Sequence, residues 1–266
     1  MIRKPAVAGQ FYPGDAARLK DMLDHLVDPI IEKKKALGII SPHAGFIYSG
    51  GVAGAVFSSV FLPEKYIIIG PNHAGAGALF SLYEEGFWET PLGKVRVDKD
   101  LIEVLKKNSD LIETDQAAHS YEHSLEVQIP FIQYFKTDFS IVPITVSPYA
   151  SLDQLKELGE SIAKSIHSED ILLVASTDMS HYISQEQAKE KDFLAIEKIL
   201  NLDPEGLFQV VKHKHISMCG FQPTIVVLTA AKILGAGKGE LIKYQTSGDV
   251  SGDYREVVGY AGIRIL

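Results

Sequence analysis

The sequence predicts an α/β fold, a single domain built on a mostly parallel or mixed central sheet flanked by helices. Apolar, β-branched runs alternate with stretches of helical periodicity along the whole chain. Three of those runs stop abruptly at polar, turn-forming residues that include a histidine: Leu37–Ile40 before His43, Lys65–Gly70 before His73, and Ile171–Ala175 before Asp178 and His181. No linker divides the 266 residues, so one domain over 1–266 is the simplest organisation. In an open α/β sheet the ends of parallel strands share one edge, and ligands bind in the crevice there. If the three strands are parallel neighbours, His43, His73, Asp178 and His181 converge from distant positions.

Taken in order, Pro5–Asp15 is rich in turn formers and aromatics and reads as an ordered, irregular lead-in. Asp15 caps an amphipathic helix that runs to about Val27. After the first strand, Ser49–Ser58 is a small-residue helix whose glycines cost helix propensity but allow close packing on the sheet. Phe80–Val97, with Tyr83, Phe87, Trp88 and the turn Thr90-Pro91-Leu92-Gly93, reads as short strands or a hairpin bordering the site. Asp98 caps a helix to Asn108 with Leu101, Ile102 and Leu105 on one face. A strand over 139–146 and a helix over 152–166 lead into the third site strand, and helices follow at about 185–200, 203–211 and 223–234. Strands over 240–246 and 257–266 close the chain around Ser247–Asp253, a polar lid or a surface turn.

A hydrophobic fraction of 46% against 23% charged residues supplies a large core. The net charge of −8 argues against a nucleic-acid surface built on bulk positive potential. No apolar run approaches the roughly 20 residues that cross a bilayer, and Met1–Pro5 leads into no secretory segment, so a soluble, cytoplasmic protein without a membrane partner is expected. The single cysteine, Cys219, excludes an intramolecular disulfide.

Pro42-His43-Ala44-Gly45 and Asn72-His73-Ala74-Gly75 are near-copies, each placing an imidazole just after a strand. Either histidine alone is equally well explained as a hydrogen-bonded turn residue. The pair favours metal ligation or acid–base work, because neutral imidazole is the commonest metal-binding side chain. Asp178 and His181 lie three residues apart, where the carboxylate can orient the histidine, accept a proton or bind metal. The blander alternative is that Ser176, Thr177 or Asp178 caps a following helix. Cys219 stands a few residues before an apolar helix that Pro223 would begin, and the positive helix end favours a thiolate, a ligand or reactive thiol rather than core filler.

His119-x-x-Glu122-His123 matches an inverted zinc-protease pattern, and on a helix His119, Glu122, His123 and Glu126 would share one narrow face. A five-residue pattern is weak, Pro130 would kink or break that helix, and no downstream motif supplies a third ligand. Glu122 and His123 are therefore read as supporting or substrate-facing residues.

Taken together and in order, Pro5–Pro13, Ser41–Gly45, Gly70–His73, Glu122–Pro130, Ser176–His181 and Met218–Gly220 resemble the MEMO family over essentially the full chain. The resemblance implies a fold like that of the class III, LigB-type extradiol dioxygenases, non-haem iron enzymes that hold Fe(II) with two histidines and one carboxylate. Carried over by motif, it implies a metal set of His43, His73 and Cys219, the cysteine standing in the carboxylate's place. A thiolate is softer than a carboxylate and also attracts Cu(I) or Zn(II), so Fe(II) is the expected cofactor, with Cu or Zn as alternatives. His181 is expected as an acid–base or oxygen-orienting residue tuned by Asp178, with His123 a further catalytic candidate.

The expected function is redox or oxygenase-related chemistry on an unknown small molecule. The alternatives are a non-catalytic module that recognises a peptide or partner protein through a vestigial site, or a component acting with AMMECR-type and radical-SAM proteins, with which prokaryotic members of the family are grouped.

Overall fold

The computed structural model describes residues 1–75, 77–166 and 171–266. Its strands are β1 (Ile2–Arg3), β2 (Gly38–Ser41), β3 (Lys65–Pro71), β4 (Phe80–Leu82), β5 (Phe87–Thr90), β6 (Gly93–Val97), β7 (Ile112–Thr114), β8 (Ser140–Val146), β9 (Ile171–Ser176), β10 (His181–Ile183), β11 (Gly239–Thr246) and β12 (Val257–Ile265). Its helices are α1 (Ala16–Leu26), α2 (Phe46–Ser58), α3 (Lys99–Asn108), α4 (Ile129–Phe135), α5 (Leu152–Ser165), α6 (Gln185–Leu200), α7 (Pro204–His213), α8 (Phe221–Ile233) and α9 (Gly248–Ser251). The strands join one sheet in the order β1-β5-β6-β8-β3-β9-β2-β12-β10, with β11 paired to β12 and β4 to β7 and β8.

The centre of the sheet, from β6 to β2, is parallel, and β12 then runs antiparallel to β2. Parallel strands are covered on both faces, which is why they read as continuous apolar runs. Ile67, Ile68 and Ile69 of β3 have no exposed surface, and burial of each such side chain stabilises the fold by about 1.5–3 kcal/mol. The strand β9 lies between β3 and β2, and Ala175 pairs with both Ile69 and Ile40. The three site strands therefore end level, at one edge, as their sequences predict.

Helix starts follow their caps. Asp15, Asp98 and Asp203 each accept a first-turn backbone N–H, and Ser151 forms a reciprocal capping box with Gln154. The helix α8 is buried along Phe221–Ala231, apolar on all sides because it lies between the strands β2, β3, β8 and β9 and the helices α5 and α7. It starts at Phe221, two residues ahead of the expected proline start, and Pro223 sits in the first turn, where its missing N–H costs nothing. In α2, a Cβ at Gly54 would overlap the carbonyl of Leu26, and one at Gly50 would press on the Leu26 side chain. Those glycines admit the end of α1, while α2 also packs on β2, β11 and β12 of the sheet, as expected.

The largest departure lies between Ala117 and Phe135. Two short 3₁₀ turns, Ala117–His119 and Glu126–Gln128, precede α4, and no continuous helix spans residues 119–126. Pro130 stands in the first turn of α4, so it begins a helix and breaks none. The segment 247–253, read as a lid or a turn, contains the short helix α9 between β11 and β12. Among the described residues no helix is long and apolar enough to cross a membrane.

Candidate metal centre

A cavity of about 450 Å³ opens at the C-terminal edge of the parallel strands, lined by His43, His73, His123, Asp178, His181 and Cys219 together with Phe11, Ala44, Gly45, Tyr182, Ser217 and Val258. It brings together all six residues that the sequence put forward. His43, His73 and His123 form a cluster whose ligand atoms all lie within 4.8 Å of one another. The His73 and His123 rings are stacked at 4.6 Å, and His43 stands edge-on to both, at 5.2 and 5.4 Å. Phe11, from the N-terminal lead-in, backs His123 at 4.8 Å.

His43 follows β2 and is buried. Its backbone N–H donates to Asp178 Oδ1 (2.8 Å), its Nδ1 meets Ser176 Oγ (3.0 Å), and its Nε2 lies 3.2 Å from Cys219 Sγ. Burial pushes its pKa well below the ordinary histidine value, and the neighbouring imidazoles of His123 and His73 push the same way. His43 is a neutral imidazole, the form that ligates metals.

His73 follows β3 at the rim, its side chain 37% exposed. Glu122 clasps it: Oε2 accepts the His73 backbone N–H (2.8 Å) and Oε1 accepts Nδ1–H (2.9 Å), which leaves Nε2 free. Burial works against a charged His73, but the hydrogen bond and the charge of Glu122 outweigh it and raise its pKa. Glu122 mirrors this. Burial opposes its ionisation, yet the bonds from His73 and the Ser124 N–H hold the carboxyl down to about 2. Burial, the leading influence, lowers the pKa of His123, whose Nδ1 lies 3.7 Å from Glu122 Oε1.

Asp178 and His181 come from the turn after β9. Asp178 caps no helix, because the chain continues into β10. Its carboxyl is pushed up to about 6 by burial, against the hydrogen bond from His43 N–H. His181 donates from its backbone N–H to Ser217 Oγ (2.7 Å), and its Nδ1–H points to Ser217 O (2.8 Å), leaving Nε2 available. Asp192 of α6, itself buried, takes the N–H of Ser180 and the hydroxyl of Tyr244, pinning the same turn from behind.

Cys219 lies just ahead of α8 and is partly buried. The backbone N–H of Asp178 donates to Sγ (3.2 Å). Burial, followed by the charge of Asp178, nevertheless pushes the thiol up, so the expected thiolate gives way to a protonated thiol beside His43 Nε2. A metal that binds Sγ must displace that proton.

The protease-like pattern dissolves in three dimensions. His119 points away from the cavity, its Nε2 on Ser81 O (3.1 Å) and its ring against Tyr83 and Trp88. Glu126 is an anchor for the lead-in, accepting from Arg3 Nη1 (2.6 Å), Tyr12 Oη (2.6 Å) and the backbone N–H groups of Ala6 and Val7. Sequence reasoning placed His123 apart from the other imidazoles, and it passed over Ser176 as a cap and Gln128, Ser217 and Phe11 altogether. The stretch 122–130 carried the available signal, since Glu122, His123, Glu126 and Gln128 crowd into nine residues.

Three neutral or neutralisable imidazoles with a thiol and a carboxyl alongside suit a first-row transition metal. The fold and this edge-of-sheet cluster define the class: an α/β protein with a candidate imidazole metal centre. Within that class, the chain belongs to the Memo-like protein family, whose model matches residues 3–264. Relatives named MEMO1 family protein are 42% identical in Aquifex aeolicus (100% of this chain, 99% of the relative), 44% in Pyrobaculum arsenaticum (98% of each) and 41% in Nitrosopumilus maritimus (100% of each). A crystal structure of an uncharacterised Escherichia coli K12 protein shares the fold, with a TM-score of 0.57 and 15% identity over 86% of this chain and 99% of that one.

Proposed function

We propose that this Memo-like protein holds a transition metal, Fe(II) first and Cu or Zn as alternatives, and that with Fe or Cu bound it performs redox or oxygenase-type chemistry on a small molecule admitted to the cavity. The observation that carries this reading is the convergence of His43, His73 and His123 within ligating reach of one another at the sheet edge. The donor set fits: His73 and His181 each have Nδ1 bonded to an oxygen acceptor, so their Nε2 atoms are available on the other side of the ring. The MEMO-type resemblance to extradiol dioxygenases points the same way.

His43, His73 and His123 would hold the ion, with Cys219 or Asp178 as a further donor beside His43. Bound there, the metal would supply Lewis-acid and redox chemistry. Glu122 orients His73. His181 presents Nε2 to the cavity and can hold or deliver a proton there, its ring fixed by Ser217. Phe11 packs against the His123 ring and lines the cavity.

Anaerobic calorimetry with Fe(II), Cu(I) and Zn(II) tests the reading on the wild type and on His73→Ala, His123→Ala and Cys219→Ala. Stoichiometric binding lost in both histidine variants is expected. Loss in Cys219→Ala as well would assign a ligand set that includes the thiolate, and retention there would assign the three imidazoles. No binding by folded wild-type protein would overturn the reading and transfer the cavity to recognition of a peptide or partner protein.

A further inference from the structure

Behind His43 lies a buried hydrogen-bond chain that the metal reading does not use. Gln128, Ser176 and Ser124 have no exposed surface. Gln128 Nε2 lies 2.9 Å from Pro42 O and 2.8 Å from Ser176 Oγ. Ser176 Oγ lies 2.6 Å from Ser124 O and 3.0 Å from His43 Nδ1.

The direction of every proton in this chain follows from its two ends. Pro42 O and Ser124 O are main-chain carbonyls, which only accept. Gln128 must therefore turn its amide nitrogen, and not its oxygen, toward Pro42, and its second N–H is left for Ser176. Ser176 has one proton, and Ser124 O takes it. Both lone pairs of the hydroxyl oxygen are then acceptors, one for Gln128 Nε2–H and one for His43. Because a neutral imidazole carries a single N–H, His43 must place it on Nδ1.

We infer that Gln128 and Ser176 are positioning residues that hold His43 as the Nδ1–H tautomer, with the Nε2 lone pair aimed into the cavity toward Cys219. Two backbone carbonyls thus dictate, through two side chains, which face of the ring can bind a metal. His43 has no carboxylate at Nδ1 to do this, unlike His73 with Glu122. The Gln128 Oε1 atom is buried without a partner among the described residues, the cost of turning the amide this way round.

The consequence for metal affinity rests on the proposed function; the tautomer does not. Long-range ¹H–¹⁵N correlation spectra of the metal-free, histidine-labelled full chain, with the His43 signals assigned by their absence in His43→Gln, read the tautomer directly. The wild type is expected to show His43 protonated at Nδ1. Ser176→Ala is expected to move the proton to Nε2 and to weaken Zn(II) binding roughly 10–100-fold, as loss of a ligand-orienting partner does, and Ser176→Thr, which keeps the hydroxyl, to restore both. An Nε2–H tautomer in the wild type, or an unchanged Nδ1–H tautomer in Ser176→Ala, overturns the inference. The wild-type spectrum decides the matter even where Ser176→Ala fails to fold. Wild-type protein with the Nδ1–H tautomer but no affinity for Zn(II), Fe(II) or Cu(I) would overturn the metal function and leave this inference standing.

Discussion

The loops after β2 and β3 carry nearly the same tetrapeptide and yet build opposite environments. His43 is enclosed, bonded at Nδ1 to a neutral hydroxyl, and pushed well below the usual histidine pKa. His73 sits at the rim, bonded at Nδ1 to a buried carboxylate, and is raised. Even the glycines differ: Gly45 has φ −56° at the start of α2, whereas Gly75 has φ +65°. The contrast teaches that a histidine's character belongs to its surroundings, burial and the imidazoles of His123 and His73 for one and the carboxylate of Glu122 for the other, all set by residues far along the chain.

The largest expected effect extends the contrast to an imidazole outside the site. His119 is buried with its Nδ1 unpartnered among the described residues, and burial lowers its pKa to about 4. A histidine lowered in the folded state stabilises the fold fully above its unfolded value near 6.5 and loses that contribution as pH falls from there toward about 4. The span corresponds to about 3 kcal/mol. Urea unfolding of the metal-free protein at pH 7, 5.5 and 4.5 should show this acid limb, and His119→Gln should flatten it. An unchanged limb in the variant would assign the acid sensitivity to other groups.

Next in size is the clasp on His73. Glu122→Gln keeps the shape of the side chain but removes its charge, and is expected to weaken metal binding by roughly 10–100-fold by calorimetry. Affinity equal to wild type would mean that the rim histidine needs no carboxylate, and the contrast between the two loops would then have no consequence for binding.

The smallest effect concerns the backbone. Gly75→Ala places a side chain at φ +65° with nothing within 4 Å of the new Cβ, so strain alone should cost about 1 kcal/mol in chemical unfolding. A neutral result would show that the loop relaxes freely, and that the sharp turn after His73 is no requirement of the site.

Much of the frame is legible in the order of residues alone. The buried parallel strands announce themselves as apolar runs, and Asp15 and Asp98 mark helix starts because an unsatisfied N–H at a helix end selects a short polar acceptor. The segment 117–135 resists such reading, because His119-x-x-Glu122-His123 has helical spacing while its residues are claimed by separate partners: Ser81 for His119, His73 for Glu122, and the lead-in for Glu126. The short strands β1, β7 and β10 are equally silent. Two or three residues carry no periodicity, and they are strands only because a neighbour offers hydrogen bonds.

By itself, then, the sequence determined the α/β class, the family, and the gathering of His43, His73, Asp178 and His181 at one edge, since all of these follow from local patterns and from the level ends of parallel strands. The tertiary structure alone decided that His123 stacks on His73, that Cys219 is a thiol beside His43 Nε2, and that Gln128 and Ser176 orient His43. Those outcomes depend on burial and on partners up to 176 residues apart. Protonation and ring orientation are set by desolvation and hydrogen-bond direction in the folded site, and neither is written in the spacing of a motif.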